Sequence, residues 1–155
     1  MAWDDPAAAG LRAAMQAEME ARYADRVADV LARAAAPESR LHSTLGVEAE
    51  QVAYVGVAYA GDAAVGHVAL RWLDGDLELK RMYVAPGHRG SGAARVLLAA
   101  AEGAARSLGA SRIILQTGDR QPEAVRLYER EGYAHIPVFP PYEWLDFSVC
   151  MEKVL

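Results

Sequence analysis

Three strand-like segments follow one another between residues 51 and 84, and only two-residue turn signals separate them. Gly61-Asp62 stands between the first two segments, and Asp74-Gly75 stands between the second and the third. Such pairs favour tight β-hairpins. Because a parallel pair needs a crossover of a dozen or more residues, connections this short allow only antiparallel pairing. The sequence therefore predicts an antiparallel meander.

Helical and strand-like segments flank this meander in a regular order. Before it, apolar spacing predicts a helix over residues 7–34, and residues 37–50 are expected to form a loop with a short helical turn. After it, the patterns predict helices over residues 91–108 and 122–131 and strands over residues 112–117, 133–138 and 146–154. The order αβββαβαββ predicts an α+β fold with a mixed, mostly antiparallel central sheet and helices on both faces. At 155 residues the chain is expected to be a single domain, 1–155.

Charge is distributed unevenly along the chain. The formal net charge is −5, yet residues 77–112 carry six basic and two acidic residues. A basic segment in an acidic chain indicates an anionic ligand, although a solvated surface would show the same pattern. The acidic balance as a whole argues against a nucleic-acid partner.

Other features exclude further classes of protein. No apolar run approaches the roughly 18 residues of a membrane span, and the acidic start of the chain does not resemble a signal peptide. We therefore expect a cytoplasmic protein with no membrane partner. A lone cysteine, Cys150, excludes a disulfide framework and a cysteine-based zinc cluster. No metal site is predicted.

The most informative stretch is Leu79–Ala94, where a strand leads through a glycine-rich loop into a helix. The N–H groups of such a loop and the helix dipole can together bind an anion such as a diphosphate. A Walker A loop is excluded because Ala93-Ala94 follows Gly92 where lysine and a hydroxyl residue are needed. A dinucleotide fingerprint is excluded because Arg95 stands at its third glycine.

Two motifs then resemble the GNAT superfamily of N-acetyltransferases. Arg89, Gly92 and Ala94 match the pattern Arg/Gln-x-x-Gly-x-Gly/Ala, and residues 121–133 match the block Asn-x-x-Ala-x-x-Leu-Tyr-x-x-x-Gly-Phe/Tyr. The intervening segments also follow the order of this superfamily, so the resemblance covers essentially residues 7–155. It implies transfer of an acetyl group from the co-substrate acetyl-CoA to an amine, directly and within a ternary complex.

The resemblance also implies which residues bind the co-substrate. The amides of the loop and of the following helix are expected to hold the CoA diphosphate; these residues are Arg89, Gly90, Ser91, Gly92, Ala93 and Ala94. The strand Met82, Tyr83 and Val84 is expected to pair with the pantetheine arm, in a gap where it separates from strand 112–117. An amide of Met82 or Val84 would polarise the thioester carbonyl. Gln121 replaces the usual asparagine that contacts the pantetheine.

Two residues are the catalytic candidates. Tyr128 is expected to protonate the CoA thiolate, with a core tyrosine as the alternative. Glu78 matches the position of the glutamate base in the histone acetyltransferase branch and is expected to deprotonate the acceptor. Alternation would put Glu78, Lys80, Met82 and Val84 on one face of the strand. Lys80 would then be able to form a plain salt bridge with Glu78.

The acceptor is expected to be a primary amine of a small molecule. Residues 37–50, the strand with Tyr54 and Tyr59, and the aromatic segment 136–144 with Glu143 are the candidate walls of its site. Two alternatives remain at the level of the sequence: a non-catalytic acyl-CoA-binding module and a protein N-acetyltransferase. The first helix and the proline-rich loop are candidate contacts of a homodimer.

Overall fold

The computed structural model describes residues 1–155 and contains four helices and six strands. In chain order these are α1 (Pro6–Ala34), α2 (Glu38–Leu45), β1 (Val52–Ala60), β2 (Ala63–Leu73), β3 (Asp76–Val84), α3 (Ala93–Ser107), β4 (Arg112–Gly118), α4 (Pro122–Arg130), β5 (Ala134–Ile136) and β6 (Ser148–Val154). Short 3₁₀ turns lie at Ala49–Gln51, Pro86–His88 and Tyr142–Trp144. The predicted α+β order is confirmed, and the helical turn expected in residues 37–50 is the helix α2.

Helix α1 is delimited by its flanking residues. The Asp5 carboxylate accepts a hydrogen bond from Ala7 N at 2.9 Å, and Pro6 occupies the first turn, where its missing N–H is not needed. The helix ends at Ala35, which adopts a left-handed conformation with φ 50°. One face is buried through Ala8, Leu11, Tyr23 and Val30. None of the four helices combines the length and the apolar character that a membrane span requires.

The strands form one sheet in the order β1-β2-β3-β4-β6-β5. All neighbouring strands are antiparallel except β3 and β4, which are parallel. The pairing of β3 with β4 extends only from Leu77 opposite Ile113 to Leu79 opposite Leu115. Beyond these residues the two strands separate, so the sheet is split at the carboxyl ends of its two parallel strands.

A β-bulge interrupts β3 just after this pairing ends. Ala69 of β2 is the partner of Lys80, and His67 is the partner of Tyr83, so β3 contains one extra residue here. Arg81 adopts φ 56° at the bulge, and its carbonyl oxygen lies 2.9 Å from His67 Nδ1. This contact occupies the ring of His67 and holds the irregular backbone in place.

The bulge decides which side chains share a face of β3. Strict alternation would group Glu78, Lys80, Met82 and Val84, and that prediction is wrong. Lys80 is the partner of Ala69 and Tyr83 is the partner of His67, so Lys80 shares its face with Tyr83, whereas Val84 packs with Leu79 in the core under α3. The extra residue at position 81 reverses the alternation between the two halves of the strand.

The two faces of the sheet have separate cores. One cluster lies under α3 and includes Val68, Leu70, Leu77, Leu97, Leu98, Ala101, Ile113 and Met151. On the other face, α1 and α2 pack with the segment before β6 through Tyr23, Val30, Leu41, Tyr142, Leu145 and Phe147. The prediction of helices on both faces is therefore confirmed. Burial of each large apolar side chain stabilises this arrangement by about 2 kcal/mol.

Candidate functional site

The split between β3 and β4 adjoins two cavities. The first, here called the loop cavity, has a volume of about 450 Å³ and is bounded by the loop after β3. The second, the α2 cavity, has a volume of about 520 Å³ and is bounded by α2. Five residues line both of them: Met15, Met19, Met82, Gln121 and Ala124. The two cavities therefore adjoin each other, and together they are here called the groove, with α1 on one side and α4 on the other.

The glycine-rich loop forms one end of the loop cavity. Gly90 and Gly92 have φ values of 80° and 90°, which glycine adopts far more readily than any residue with a Cβ. Ala93 and Ala94 begin α3 and line the cavity with small side chains. The N–H groups of a helix N-terminus have no intrahelical partner, so they favour an anion at this end of the groove.

Nine of the ten residues predicted to bind the co-substrate line the loop cavity: Met82, Tyr83, Val84, Arg89, Gly90, Gly92, Ala93, Ala94 and Gln121. Ser91 does not line it. The Ser91 hydroxyl donates a hydrogen bond to the His88 carbonyl oxygen at 2.5 Å and so supports the turn of the loop. The structure thus brings the predicted set together, and contact of each residue with the co-substrate stays a prediction.

Basic side chains surround this cavity. Arg89 Nε donates to the Val84 carbonyl at 2.8 Å, and Arg89 Nη2 pairs with the Glu18 carboxylate of α1 at 2.7 Å. The arginines among the lining residues are Arg22, Arg89, Arg95 and Arg130, against the carboxylates Glu18 and Glu123. An excess of fixed positive charge at a loop with free N–H groups suits a diphosphate.

Gln121 joins α1 to the start of α4. Its Oε1 accepts hydrogen bonds from the Tyr23 hydroxyl at 3.1 Å and from Gly118 N at 3.3 Å. The side-chain carbonyl is therefore occupied, while the Nε2 group has no hydrogen bond within the chain. The longer side chain, compared with the asparagine of the motif, lets Gln121 span to α1 and still line both cavities.

The α2 cavity has apolar walls and a polar floor. Its apolar lining comes mainly from α1, α2 and the residue before β6: Met15, Met19, Val27, Leu41, Leu45 and Phe147. The floor carries Lys80, Gln116, Thr117 and Tyr128, and the helices contribute Glu20, Glu38 and His42. Residues 37–50 contribute Glu38, Leu41, His42, Leu45 and Gly46 to this cavity. Tyr54, Tyr59 and Glu143 line neither cavity, and their place in the wall of an acceptor site stays a prediction.

Tyr128 lies on the floor of the α2 cavity. It comes from α4 and is 5% exposed. The residue lines the cavity, its hydroxyl has no hydrogen bond to the rest of the chain, and burial raises the pKa of the phenol. A phenol in this setting stays protonated at neutral pH and can donate a hydrogen bond or a proton to an anion in the groove.

Glu78, by contrast, is fully buried and lines neither cavity. Its Oε1 accepts a hydrogen bond from Arg71 Nε at 2.7 Å, and its Oε2 accepts one from the Tyr142 hydroxyl at 2.5 Å. The alternative partner, Lys80, is 4.0 Å away. Both carboxylate oxygens are bonded inside the protein, so this placement does not favour Glu78 as the base that deprotonates the acceptor, and that role stays a prediction.

Tyr142 connects Glu78 to Lys80. The Tyr142 hydroxyl accepts hydrogen bonds from Lys80 Nζ at 2.9 Å and from Arg71 Nη2 at 3.1 Å, and it donates to Glu78. Burial and the Glu78 charge raise the pKa of Tyr142, so the phenol stays neutral. The sequence did not predict this network, because Tyr142 is more than 60 residues away from Arg71, Glu78 and Lys80.

Comparison with known proteins gives the same assignment as the geometry. The sequence profile of the Acetyltransferase (GNAT) family matches residues 13–133. The chain therefore belongs to the GNAT family of acetyltransferases. The co-substrate of this family is acetyl-CoA, which agrees with the diphosphate-binding character of the loop cavity.

Individual relatives agree with this family. An IAA acetyltransferase of Azospirillum brasilense is 39% identical over 90 residues, 58% of this chain and 59% of that protein. A streptothricin acetyltransferase of Streptomyces lavendulae is 35% identical over 91 residues, 57% of this chain and 48% of that protein. The chain thus spans about half of the length of these curated relatives. A Klebsiella pneumoniae structure assigned as an acyl-CoA N-acyltransferase matches with a TM-score of 0.77 and 30% identity, over 100% of this chain and 94% of that one.

Proposed function

We propose that residues 1–155 form one catalytic domain that transfers an acetyl group from acetyl-CoA to a primary amine of a small molecule. The observation that carries the proposal is the single groove across the split sheet. It has a glycine-rich loop that favours an anion at one end, a phenol without a hydrogen-bond partner on its floor, and a partly open cavity with apolar walls at the other end. Each part corresponds to one requirement of acetyl transfer.

The loop cavity is proposed to hold the CoA part of the co-substrate. The backbone N–H groups around Gly90, Gly92 and the start of α3 would bind the diphosphate, and Arg89 would add charge. The pantetheine arm would lie along Met82–Val84, because this part of β3 has no partner strand on the β4 side. A backbone N–H of Met82 or Val84 would donate to the thioester oxygen and stabilise the oxyanion.

Tyr128 is proposed as the general acid. The amine attacks the thioester carbonyl carbon, and the carbon–sulfur bond breaks as the CoA thiolate leaves. The Tyr128 hydroxyl would give its proton to this sulfur, which is chemically reasonable because the hydroxyl lines the groove and has no other acceptor. Burial keeps the phenol protonated until the thiolate forms.

The α2 cavity is proposed to bind the acceptor. Glu20 and Glu38 are exposed carboxylates on its helical wall and would attract a cationic amine toward the cavity. The apolar walls and the volume of about 520 Å³ suit a small molecule. The relatives named for IAA and for streptothricin differ in acceptor, so their names select neither for this chain.

The proposal is tested by thiol release from acetyl-CoA over a panel of primary amines, together with calorimetric titration of acetyl-CoA. We expect acetyl-CoA binding and amine-dependent release of CoA, with stoichiometric acetylated amine by mass spectrometry. Binding without turnover for every amine, including basic peptides, would instead support the acyl-CoA-binding module. Turnover with peptides alone would support a protein N-acetyltransferase.

A further inference from the structure

The side chain of Lys80 reaches the floor of the α2 cavity from a buried position. The residue is 5% exposed, yet it is one of the lining residues of that cavity. It is the first residue of β3 beyond the part paired with β4. The Lys80 amine therefore lies beside the split, where the proposed acetyl donor and acceptor would meet.

We propose that Lys80 is the general base of the reaction and takes the proton that the acceptor ammonium must lose before it attacks. This inference rests on the proposed function and names a further catalytic residue of the same site. It replaces the role that the sequence suggested for Glu78, whose oxygens are bonded to Arg71 and Tyr142.

The hydrogen bonds around Lys80 leave its amine able to accept a proton. The Tyr142 oxygen donates one hydrogen bond and accepts two, so its hydrogen-bonding capacity is filled. Lys80 Nζ makes one hydrogen bond, to that oxygen, and lies 4.0 Å from Glu78. A neutral amine bound in this way keeps a lone pair for a proton from the cavity.

Burial favours the neutral form of Lys80. Burial is the largest cause, and together with the nearby Arg81 and Arg71 it lowers the pKa of the Lys80 ammonium to about 7, against the opposing effect of Glu78. The Tyr142 phenol, which accepts the hydrogen bond from Lys80, also stays neutral near pH 7. A base with a pKa near the working pH is well matched to general base catalysis.

Other titratable groups line the cavity together with Lys80: Glu20 and Tyr23 of α1, Glu38 and His42 of α2, Tyr128 of α4 and Arg81 of β3. His42 is the competing candidate for the general base, because imidazole serves in that role more often than any other side chain. It is exposed at the helical side of the cavity, whereas Lys80 lies at the strand split next to Met82. His42 is therefore replaced in a variant of its own.

The proposed reaction starts from the acceptor ammonium and acetyl-CoA. The acceptor ammonium gives one proton to Lys80, and the free amine forms a bond from its nitrogen to the thioester carbon. The carbon–sulfur bond then breaks, with its electron pair on sulfur, and Tyr128 protonates that thiolate. The new amide nitrogen returns one proton to the Tyr128 oxygen, and Lys80 releases its proton to solvent. The net products are the acetylated amine, CoA and one proton.

The test measures kcat/KM against pH for the wild-type chain and for Lys80→Met and Lys80→Arg. We expect the wild-type profile to rise through an apparent pKa near 7 that does not move when acceptors of different amine pKa are compared. In both variants the rising limb of the pH profile should disappear, and kcat should fall by at least about 100-fold. The affinity for acetyl-CoA, measured by calorimetry, should stay unchanged. Lys80→Arg keeps a cation but cannot accept a proton.

Two control variants make the result specific. Lys153→Met removes the other lysine of the chain, which pairs with Glu102 away from both cavities, and His42→Gln removes the competing base. Both should keep the rising limb near pH 7.

Loss of this limb in His42→Gln, or its retention in Lys80→Arg, would overturn the proposal. An effect of Lys80→Met that is confined to the KM for the acceptor would overturn it as well. If Lys80→Met does not fold, Lys80→Gln gives the same comparison. Absence of wild-type turnover with every amine would refute the proposed function instead.

Discussion

Arg71 of β2 and Glu78 of β3 are directly opposite each other in the antiparallel ladder, and their side chains form a buried ion pair with an N–O distance of 2.7 Å. Arg71 also donates to the Gly46 carbonyl at 3.0 Å, just after α2. The pair therefore ties the centre of the sheet to the helical wall of the α2 cavity. Its role is in this view structural, and it can be separated from catalysis.

Glu78→Gln is expected to lower the free energy of unfolding by about 3 kcal/mol, because it leaves the buried Arg71 charge without its partner. Urea denaturation measures this change. In the variant that remains folded, kcat/KM should still rise with pH, but at lower pH than in the wild type, because the Glu78 charge no longer raises the pKa of Lys80. Disappearance of that dependence, with stability intact, would restore Glu78 as the base.

Tyr128→Phe is expected to lower kcat by about 100-fold while acetyl-CoA affinity stays the same, because only proton delivery to the thiolate is removed. The matched control is Tyr133→Phe. The rings of Tyr128 and Tyr133 are 5.6 Å apart, and the buried Tyr133 hydroxyl has no hydrogen-bond partner and is outside both cavities. Steady-state kinetics should show a loss in the first variant alone; equal losses would point to packing.

Gly92→Ala is expected to weaken acetyl-CoA binding by about tenfold, which corresponds to about 1.4 kcal/mol. The reason is that φ 90° at Gly92 strains any residue with a Cβ, so the start of α3 must shift. Gly87→Ala in the same loop is the control, because Gly87 lies outside the left-handed region and has open space around its Cβ position. Calorimetry distinguishes the two, and equal affinities would show that the loop backbone does not hold the ligand.

The buried Lys80 amine is also expected to make the free energy of unfolding depend on pH. Its folded pKa of about 7 lies below the value of about 10.4 in an unfolded chain. Between these values the unfolded chain binds more protons, so this residue makes stability rise with pH, by up to about 1.4 kcal/mol per pH unit. Below pH 7 the full cost of charging the buried amine is present in the folded state.

Unfolding in urea at pH 7, 8 and 9 measures this contribution. Lys80→Met should remove the upward slope, and Lys153→Met should retain it. Equal slopes in the wild type and in Lys80→Met would mean that Lys80 keeps an ordinary pKa in the folded state, and its use as a base near neutrality would then be untenable.

Most of the fold was predictable because it depends on local patterns. The hairpin signals at Gly61-Asp62 and Asp74-Gly75 set the meander, and the apolar spacing of residues 7–34 agrees with the observed helix Pro6–Ala34. The loop cavity was predictable for the same reason. The diphosphate site proposed there depends on consecutive backbone N–H groups, which the spacing of Gly90 and Gly92 already implies.

The floor of the α2 cavity was not predictable in this way. The bulge at Arg81 is one extra residue in a strand whose alternation otherwise looks regular, so the face of Met82 and Val84 could not be read from the pattern. The contacts of Tyr142 with Arg71 and Lys80 join segments more than 60 residues apart. Such pairing is set by tertiary packing and leaves no periodic signal in the sequence.

The residues common to the two cavities have a kinetic consequence. Met15, Met19, Met82, Gln121 and Ala124 form a shared boundary without a separate chamber between the cavities. A ligand in one cavity therefore leaves the approach to the other open, and neither product has to depart before the second substrate enters. Initial-velocity plots at varied acetyl-CoA and amine should give intersecting lines, and parallel lines would indicate that an acetylated form of the protein accumulates between two half-reactions.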